Sequence, residues 1–469
     1  MSKLARRCTY LLLSVFMAVA QAQSPQPGAA PQTAQTAPGA PAAQQAPAQP
    51  KAPAPGEATP TVQDVVKEKP AGPVAEPVKP APKSSAAIPP NAPKGALVII
   101  GGGLRGENAE VWKRIVELAG GRGARIAVFG SASASPDIAG RNNVDVLNSY
   151  GADAFAVPVA VKLKGSDYRK AANDPELADA VRKADGAYFV GGDQGRITEA
   201  LRKPDGSSTL VLDALWEMYR RGGVIAGTSA GAAIMSSTMF YNVNSVLATL
   251  KRGVADGMEL APGLGFIGKD VFVDQHLLVR GRFARMLPAM LAKGYKTGLG
   301  IDENTSMIIH PNRDVEILGY KGALLVDLSA ATIEPGQFNL SNANLSYLDN
   351  GDRYNLTTGV FLPSREKAAN KLDAAKPYYR GPLFFADILG NTTVVDLMAK
   401  LIDSDQVDAV GLTLGSPRDL QPELGFEFRF SRTPNSVGYM SAVSDTYSVY
   451  NIRLDVLPIL IRQPLYQYK

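Results

Sequence analysis

Gly223-Val224-Ile225-Ala226-Gly227-Thr228-Ser229-Ala230-Gly231-Ala232-Ala233-Ile234-Met235 is the stretch on which the fold turns. Its opening residues form a short apolar run suited to a buried strand, and its closing residues favour a helix. Between them, Gly227-Thr228-Ser229-Ala230-Gly231 fits the pattern G-x-S-x-G. Small neighbours let the backbone turn tightly and present the serine at the start of the helix, where the dipole favours developing negative charge. A strand before it and a helix after it make Ser229 a candidate nucleophile rather than a plain turn residue.

The same texture extends towards the N-terminus. Ala96 to Ile100 is a buried-strand run ending in Gly101-Gly102-Gly103, Ala124 to Phe129 ends in Gly130-Ser131, and Ala187 to Val190 ends in Gly191-Gly192. Helical patterns run to Leu118, across Asp137 to Tyr150, Pro175 to Ala184 and Leu210 to Arg221, with a further strand at Ala154 to Val159. Continuous apolar strands alternating with helices predict an α/β fold with a mainly parallel sheet covered on both faces. Ligand chemistry in such sheets gathers at the carboxyl ends of the strands, where these glycine-rich turns fall.

Beyond Ser229 the strand Val271 to Gln275 leads into His276, and a helix is predicted from Arg282 to Leu291. Strands follow around Gly298–Ile301, Met307–Ile309, Val315–Leu318 and Ala323–Leu328. The alternation Gly425-Phe426-Glu427-Phe428-Arg429-Phe430 predicts another, in a region from 361 to 469 read as a small mixed accessory domain.

A serine nucleophile needs a base, and the chain has two histidines. His310 lies in the turn His310-Pro311-Asn312-Arg313-Asp314, where a structural role is expected. His276, at a strand end, is the candidate base by elimination. For the carboxylate that orients it, Asp302-Glu303 and Asp274 both qualify, and residue spacing leaves the choice open. Two histidines and a lone cysteine, Cys8, argue against a thiolate nucleophile or a metal site, and no cofactor is expected.

The ends of the chain have a different character. Basic residues from Lys3 to Arg7, the apolar run Tyr10 to Ala20 and Ala20-Gln21-Ala22 read as a secretory signal peptide over 1–22. That run is too short to span a bilayer, so no stable membrane anchor is expected after cleavage. Residues 23–92, rich in Pro, Ala and Gln, read as a disordered leader. The formal charge of +5 includes Lys3, Arg6 and Arg7; without them 46 basic residues face 44 acidic ones, which gives no support for nucleic-acid binding. The expected location is periplasmic or extracellular.

Taken in order, Gly101-Gly102-Gly103, Gly191-Gly192-Asp193-Gln194, Gly227-Thr228-Ser229-Ala230-Gly231-Ala232, Asp274-Gln275-His276 with Arg280-Gly281-Arg282, and Gly300-Ile301-Asp302-Glu303 resemble the cyanophycinases. These are serine peptidases related to aspartyl dipeptidases, with a class I glutamine amidotransferase-like, flavodoxin-like fold. The resemblance covers about 95 to 360, within a catalytic domain placed at 93–360. It implies that Ser229 is the nucleophile, His276 the base and Glu303 the orienting acid. It also implies an oxyanion hole from the N–H groups of Ala230 and of Asp193 or Gly192. Gln194, Asp274, Gln275, Arg280, Arg282 and Arg285 match its substrate-pocket positions. The implied substrate is cyanophycin, a poly-aspartate whose side chains carry arginine through isopeptide bonds; the implied product is the β-Asp-Arg dipeptide. Arginine forks suit the free carboxylates of such a polymer, and Asp274 would pair with its guanidinium. The resemblance further suggests a homodimer. The signal peptide, the leader and about 110 C-terminal residues depart from the intracellular pattern and suggest an exported form. An aspartyl dipeptidase, or a secreted binding protein on the same scaffold, is the alternative reading.

Overall fold

Strands buried on both faces read as continuous apolar runs, and such runs, with a more exposed strand at the edge, form the parallel centre of the molecule. They are β1 (Leu97–Ile100), β2 (Arg125–Phe129), β3 (Asp153–Val157), β4 (Gly186–Phe189) and β5 (Val224–Thr228), ordered β1-β5-β4-β2-β3 with every pair parallel. The computed structural model describes residues 92–243 and 245–462. The expected signal peptide, and the expected leader but for residue 92, lie outside the described residues.

Alternate side chains of each strand serve opposite faces. Leu97 and Ile99 pack with Phe129, Phe189 and Ile225, whereas Val98 and Ile100 pack with Trp112, Ile126 and Tyr188. Helices cover both sides. In Ala109–Leu118 the buried Val111, Trp112, Ile115 and Val116 form one stripe, and the Asn108 side chain caps the start by accepting from the Val111 N–H. Pro175–Lys183 opens with a proline at its first position and an Asp174 cap.

The sheet continues on the free side of β1 with the antiparallel strands Thr305–Ile309, Asp314–Gly319, Arg353–Asn355 and Phe361–Leu362, nine strands in all. A second nine-stranded sheet runs Leu383–Phe385, Asp408–Thr413, Leu424–Ser431, Tyr447–Leu460, Leu340–Leu348, Ala323–Asp327, Thr297–Ile301, Val271–Gln275, with Val437–Met440 pairing to Tyr447–Leu460 off this path. Val271, Val273, Leu299, Ile301 and Leu325 share a core with the parallel sheet, while Phe272, Leu324 and Val326 belong to the core on the other side.

In the region 361–469, expected as an accessory domain, the described strands from Leu383 onward are instead part of this second sheet, and Phe361–Leu362 ends the first. The reason lies in the helix Phe283–Lys293, whose residues Phe283 to Met290 are all buried. A helix apolar all round needs cover on every side. The alternating Phe426, Phe428 and Phe430, together with Val449, Leu454 and Val456, supply it, along with Leu397, Met398 and Leu401 of the helix Thr393–Ile402. The predicted strand at 425–430 is present; its apolar face is spent within the same core.

Candidate active site

Parallel register brings the glycine-rich turns together. Ile100 lies opposite Thr228 and Phe189 opposite Gly227, so the turns after β1, β4 and β5 meet at one edge. Ser229 stands between β5 and the short helix Ala230–Ala233, with φ 53 and ψ −108. A left-handed conformation at a non-glycine residue stores strain, and here it holds the hydroxyl away from the chain. The Ser229 N–H donates to the Ile100 carbonyl at 3.0 Å. The flanking glycines are sterically required: a Cβ on Gly227 would lie 2.4 Å from the Gly231 carbonyl oxygen, and one on Gly231 2.5 Å from that of Phe189.

His276 follows the last residue of the strand Val271–Gln275, also with positive φ, at 50°. Its N–H donates to the Gly101 carbonyl at 2.8 Å. The neighbouring strand Thr297–Ile301 is parallel and in register, Gln275 opposite Ile301. Asp302, Glu303 and Asn304 then carry the chain from the second sheet to the first, where Thr305–Ile309 pairs with β1. Glu303 therefore emerges beside His276.

The hydrogen bonds run in a line. The Ser229 Oγ–H donates to His276 Nε2 at 2.8 Å, and His276 Nδ1–H donates to Glu303 Oε1 at 2.5 Å. Burial is the largest influence on the imidazole and holds its pKa below the ordinary 6.5, with Glu303 opposing and Arg280 and Arg282 reinforcing the shift. The resting imidazole is therefore neutral at pH 7, with its free lone pair facing the serine. This arrangement resolves the sequence-level tie geometrically: the carboxylate on His276 is Glu303, and its neighbour Asp302 is fully buried and bonded to Lys321 Nζ at 2.7 Å.

Asp274 occupies a different position from the one expected. It is 2% exposed and bonded twice by Arg285, Nε to Oδ2 at 2.7 Å and Nη2 to Oδ1 at 2.6 Å. Arg285 is buried as well, its guanidinium 4.1 Å from the Phe240 ring centroid. The expected contact of Asp274 with a substrate guanidinium and of Arg285 with a substrate carboxylate is therefore corrected: the two neutralise each other beneath the site. Alternation along a strand hides such a pair, because its members lie eleven residues apart and meet only when helix packs on sheet.

The remaining candidates are placed as follows. Arg282 is half-buried, and burial above all lowers its pKa to about 10, which leaves it charged at neutral pH. Its Nη1 donates to both the backbone and side-chain oxygens of Gln275 at 2.9 Å. Arg280 is exposed and, among the described residues, has no carboxylate partner. Gln194 donates to the Phe240 carbonyl at 2.7 Å. The Asp193 N–H is unsuited to an oxyanion hole, because it donates to the Ala132 carbonyl at 3.0 Å while its side chain caps the helix Gln194–Leu201. Gly192 and Ala230 keep N–H groups with no backbone acceptor among the described residues, and a Cβ on Gly191 would lie 3.2 Å from Ser229 Cβ, so that turn borders the hydroxyl. His310, as expected, is structural and lies apart, bonded to Glu316 at 3.0 Å.

Sequence reasoning missed the supports. Gly102, with φ 120, leaves the space the imidazole fills: a Cβ there would lie 2.2 Å from His276 Cε1. Its carbonyl accepts from the Asn304 N–H at 2.8 Å. The Asn108 side chain donates to both oxygens of Asn304 at 3.0 Å, fixing the residue that follows Glu303. The glycine triplet after β1 was the available signal for such close approach.

Residues 97–317 match the model of Peptidase family S51. A cyanophycinase of Geminocystis herdmanii is 31% identical over 277 residues, covering 56% of this chain and 95% of that protein. The chain belongs to peptidase family S51. Cyanophycinases of Synechococcus elongatus (31% identical, 56% of this chain, 80% of theirs) and Trichormus variabilis (30%, 59% and 90%) are similar too. As an S51 peptidase the protein is a cyanophycinase-like, serine-type hydrolase. The matched region ends before the strands that close the second sheet, and those strands bury the helix carrying Arg285.

Proposed function

We propose that this peptidase is exported and hydrolyses cyanophycin to β-Asp-Arg through a Ser229–His276–Glu303 triad. The observation that carries this reading is the unbroken line of hydrogen bonds from Ser229 Oγ to Glu303. The printed names of the similar proteins support the substrate; the pattern of residues 1–22 supports export.

His276 Nε2 takes the Ser229 proton as Oγ attacks a backbone aspartyl carbonyl, giving a tetrahedral oxyanion. The N–H groups of Ala230 and Gly192, without a backbone acceptor among the described residues, are the donors assigned to that charge. Glu303 holds Nδ1–H and stabilises the imidazolium. The imidazolium then gives its proton to the leaving amine, and the C–N bond breaks to leave an acyl-enzyme. Water, deprotonated by His276, releases the product acid and returns Ser229. Arg280, exposed near the histidine, and Arg282 suit the free carboxylate of a substrate arginine.

Because only neutral His276 can accept the proton, kcat/KM rises with pH and the free-enzyme limb reports the imidazole pKa. Its midpoint is expected below 6.5, since burial outweighs Glu303. A midpoint above 6.5 in a pH–rate profile would overturn that ordering. The substrate reading is tested by clearing of insoluble cyanophycin alongside hydrolysis of Asp-X dipeptides. Clearing is the expected result; intact polymer with cleaved dipeptides would make the protein an aspartyl dipeptidase.

A further inference from the structure

Beyond the turn that follows β4 a second feature opens. A cleft of about 660 Å³ is lined by Lys162, Arg169, Asp193, Gly195, Lys203 and Tyr241, among others. Asp193 and Gly195 are in the turn and helix start that follow Gly192, so the cleft shares a wall with the oxyanion side of the site. A Cβ on Gly195 would lie 2.6 Å from the Tyr241 ring, which places that half-exposed ring across the shared wall.

The charges in the cleft divide into spent and unspent. Arg196 leans on Asp193 at 3.5 Å and donates to the Ala132 carbonyl. Arg202 donates to the carbonyls of Gly206 and Gly263. Glu199 accepts from the Tyr168 hydroxyl at 2.8 Å. Lys162, Arg169 and Lys203 are exposed; Arg169 lies 4.7 Å over the Tyr168 ring and Lys203 is near Asp205, but among the described residues none of the three makes a close ion pair. Three exposed cations without a close ion pair around one concavity focus positive potential and attract anionic ligands.

Resting on the reading of the site as one that cuts a carboxylate-bearing peptide polymer, we propose that this cleft is an exosite for the repeats beyond the scissile bond. A polymer cannot end at the serine; its uncut repeats must leave along the surface, and each presents a free carboxylate. Lys162, Arg169 and Lys203 hold those carboxylates, while the Tyr241 face accepts a guanidinium. Contacts far from the scissile bond strengthen polymer binding without touching the bond-breaking step, so they act on KM and leave kcat alone.

The test neutralises the three cations together as Lys162→Gln, Arg169→Gln and Lys203→Gln. Glutamate is avoided because it could pair with the polymer's guanidinium groups. In otherwise intact protein, KM for soluble cyanophycin should rise about tenfold with kcat unchanged, and hydrolysis of a two-repeat substrate with one scissile bond should change less than twofold. In a Ser229→Ala background, cosedimentation with insoluble polymer should weaken about tenfold, and added salt should weaken the parent in the same way. Unchanged KM and unchanged cosedimentation would overturn the exosite even where the parent clears polymer. A parent that pellets with polymer through these residues yet never cleaves it would instead overturn the proposed function and leave the cleft's role standing.

Discussion

Ser229→Ala should lower kcat on cyanophycin by about 10⁴-fold or more, with the folded state intact. The magnitude follows from what the hydroxyl does. Without Oγ no acyl-enzyme forms, and what remains is the oxyanion pocket and substrate binding, which still help water attack weakly. Alanine is compatible with the space, since the Ser229 side chain bonds only His276 among the described residues. Its positive φ of 53° is strained for alanine as it is for serine, so a thermal melt should accompany the kinetics. The signature of a shared mechanism is non-additivity: Ser229→Ala combined with His276→Ala should lose little more than either alone. Multiplying losses would mean that serine and histidine act in separate steps.

Asp274→Ala should cost about 3–5 kcal/mol of stability, because it strands the Arg285 guanidinium in the interior. Both partners are less than 5% exposed, and water cannot easily replace the lost carboxylate. The Phe240 ring, 4.1 Å from the guanidinium, compensates little. Urea unfolding should show a midpoint well below the parent's. Activity should fall as well, since His276 directly follows the strand carrying Asp274 and Arg282 grips Gln275 between them. Unaltered unfolding together with a raised KM would give Asp274 back to the substrate.

How far the sequence reveals this site depends on the range of the interactions. The strand–turn–helix around Ser229 is local chemistry, and so is the parallel α/β class: apolar runs, glycine turns and helical stripes declare themselves within about ten residues. The histidine that bonds Ser229 was legible because histidine is scarce. Glu303 over Asp274 was not, on residue types alone, because one follows an apolar strand and the other lies near the end of one. It is decided by the register of two parallel strands, Gln275 opposite Ile301, and by a backbone crossing between sheets at 302–304. The closed Asp274–Arg285 pair, the folded-back Asp193 N–H and the room at Gly102 are likewise tertiary facts. The C-terminal strands show the same limit. Phe426, Phe428 and Phe430 reveal a strand with one apolar face, but nothing nearby in sequence says that this face covers a helix about 140 residues earlier.

The central claim is that Ser229 attacks the aspartyl backbone of cyanophycin rather than its arginine-bearing side chains. Mass analysis of the soluble products from insoluble polymer tests it most directly. The parent protein should release the β-Asp-Arg dipeptide, and Ser229→Ala should release essentially none. Free arginine as the main product, or undiminished dipeptide from Ser229→Ala, would contradict it.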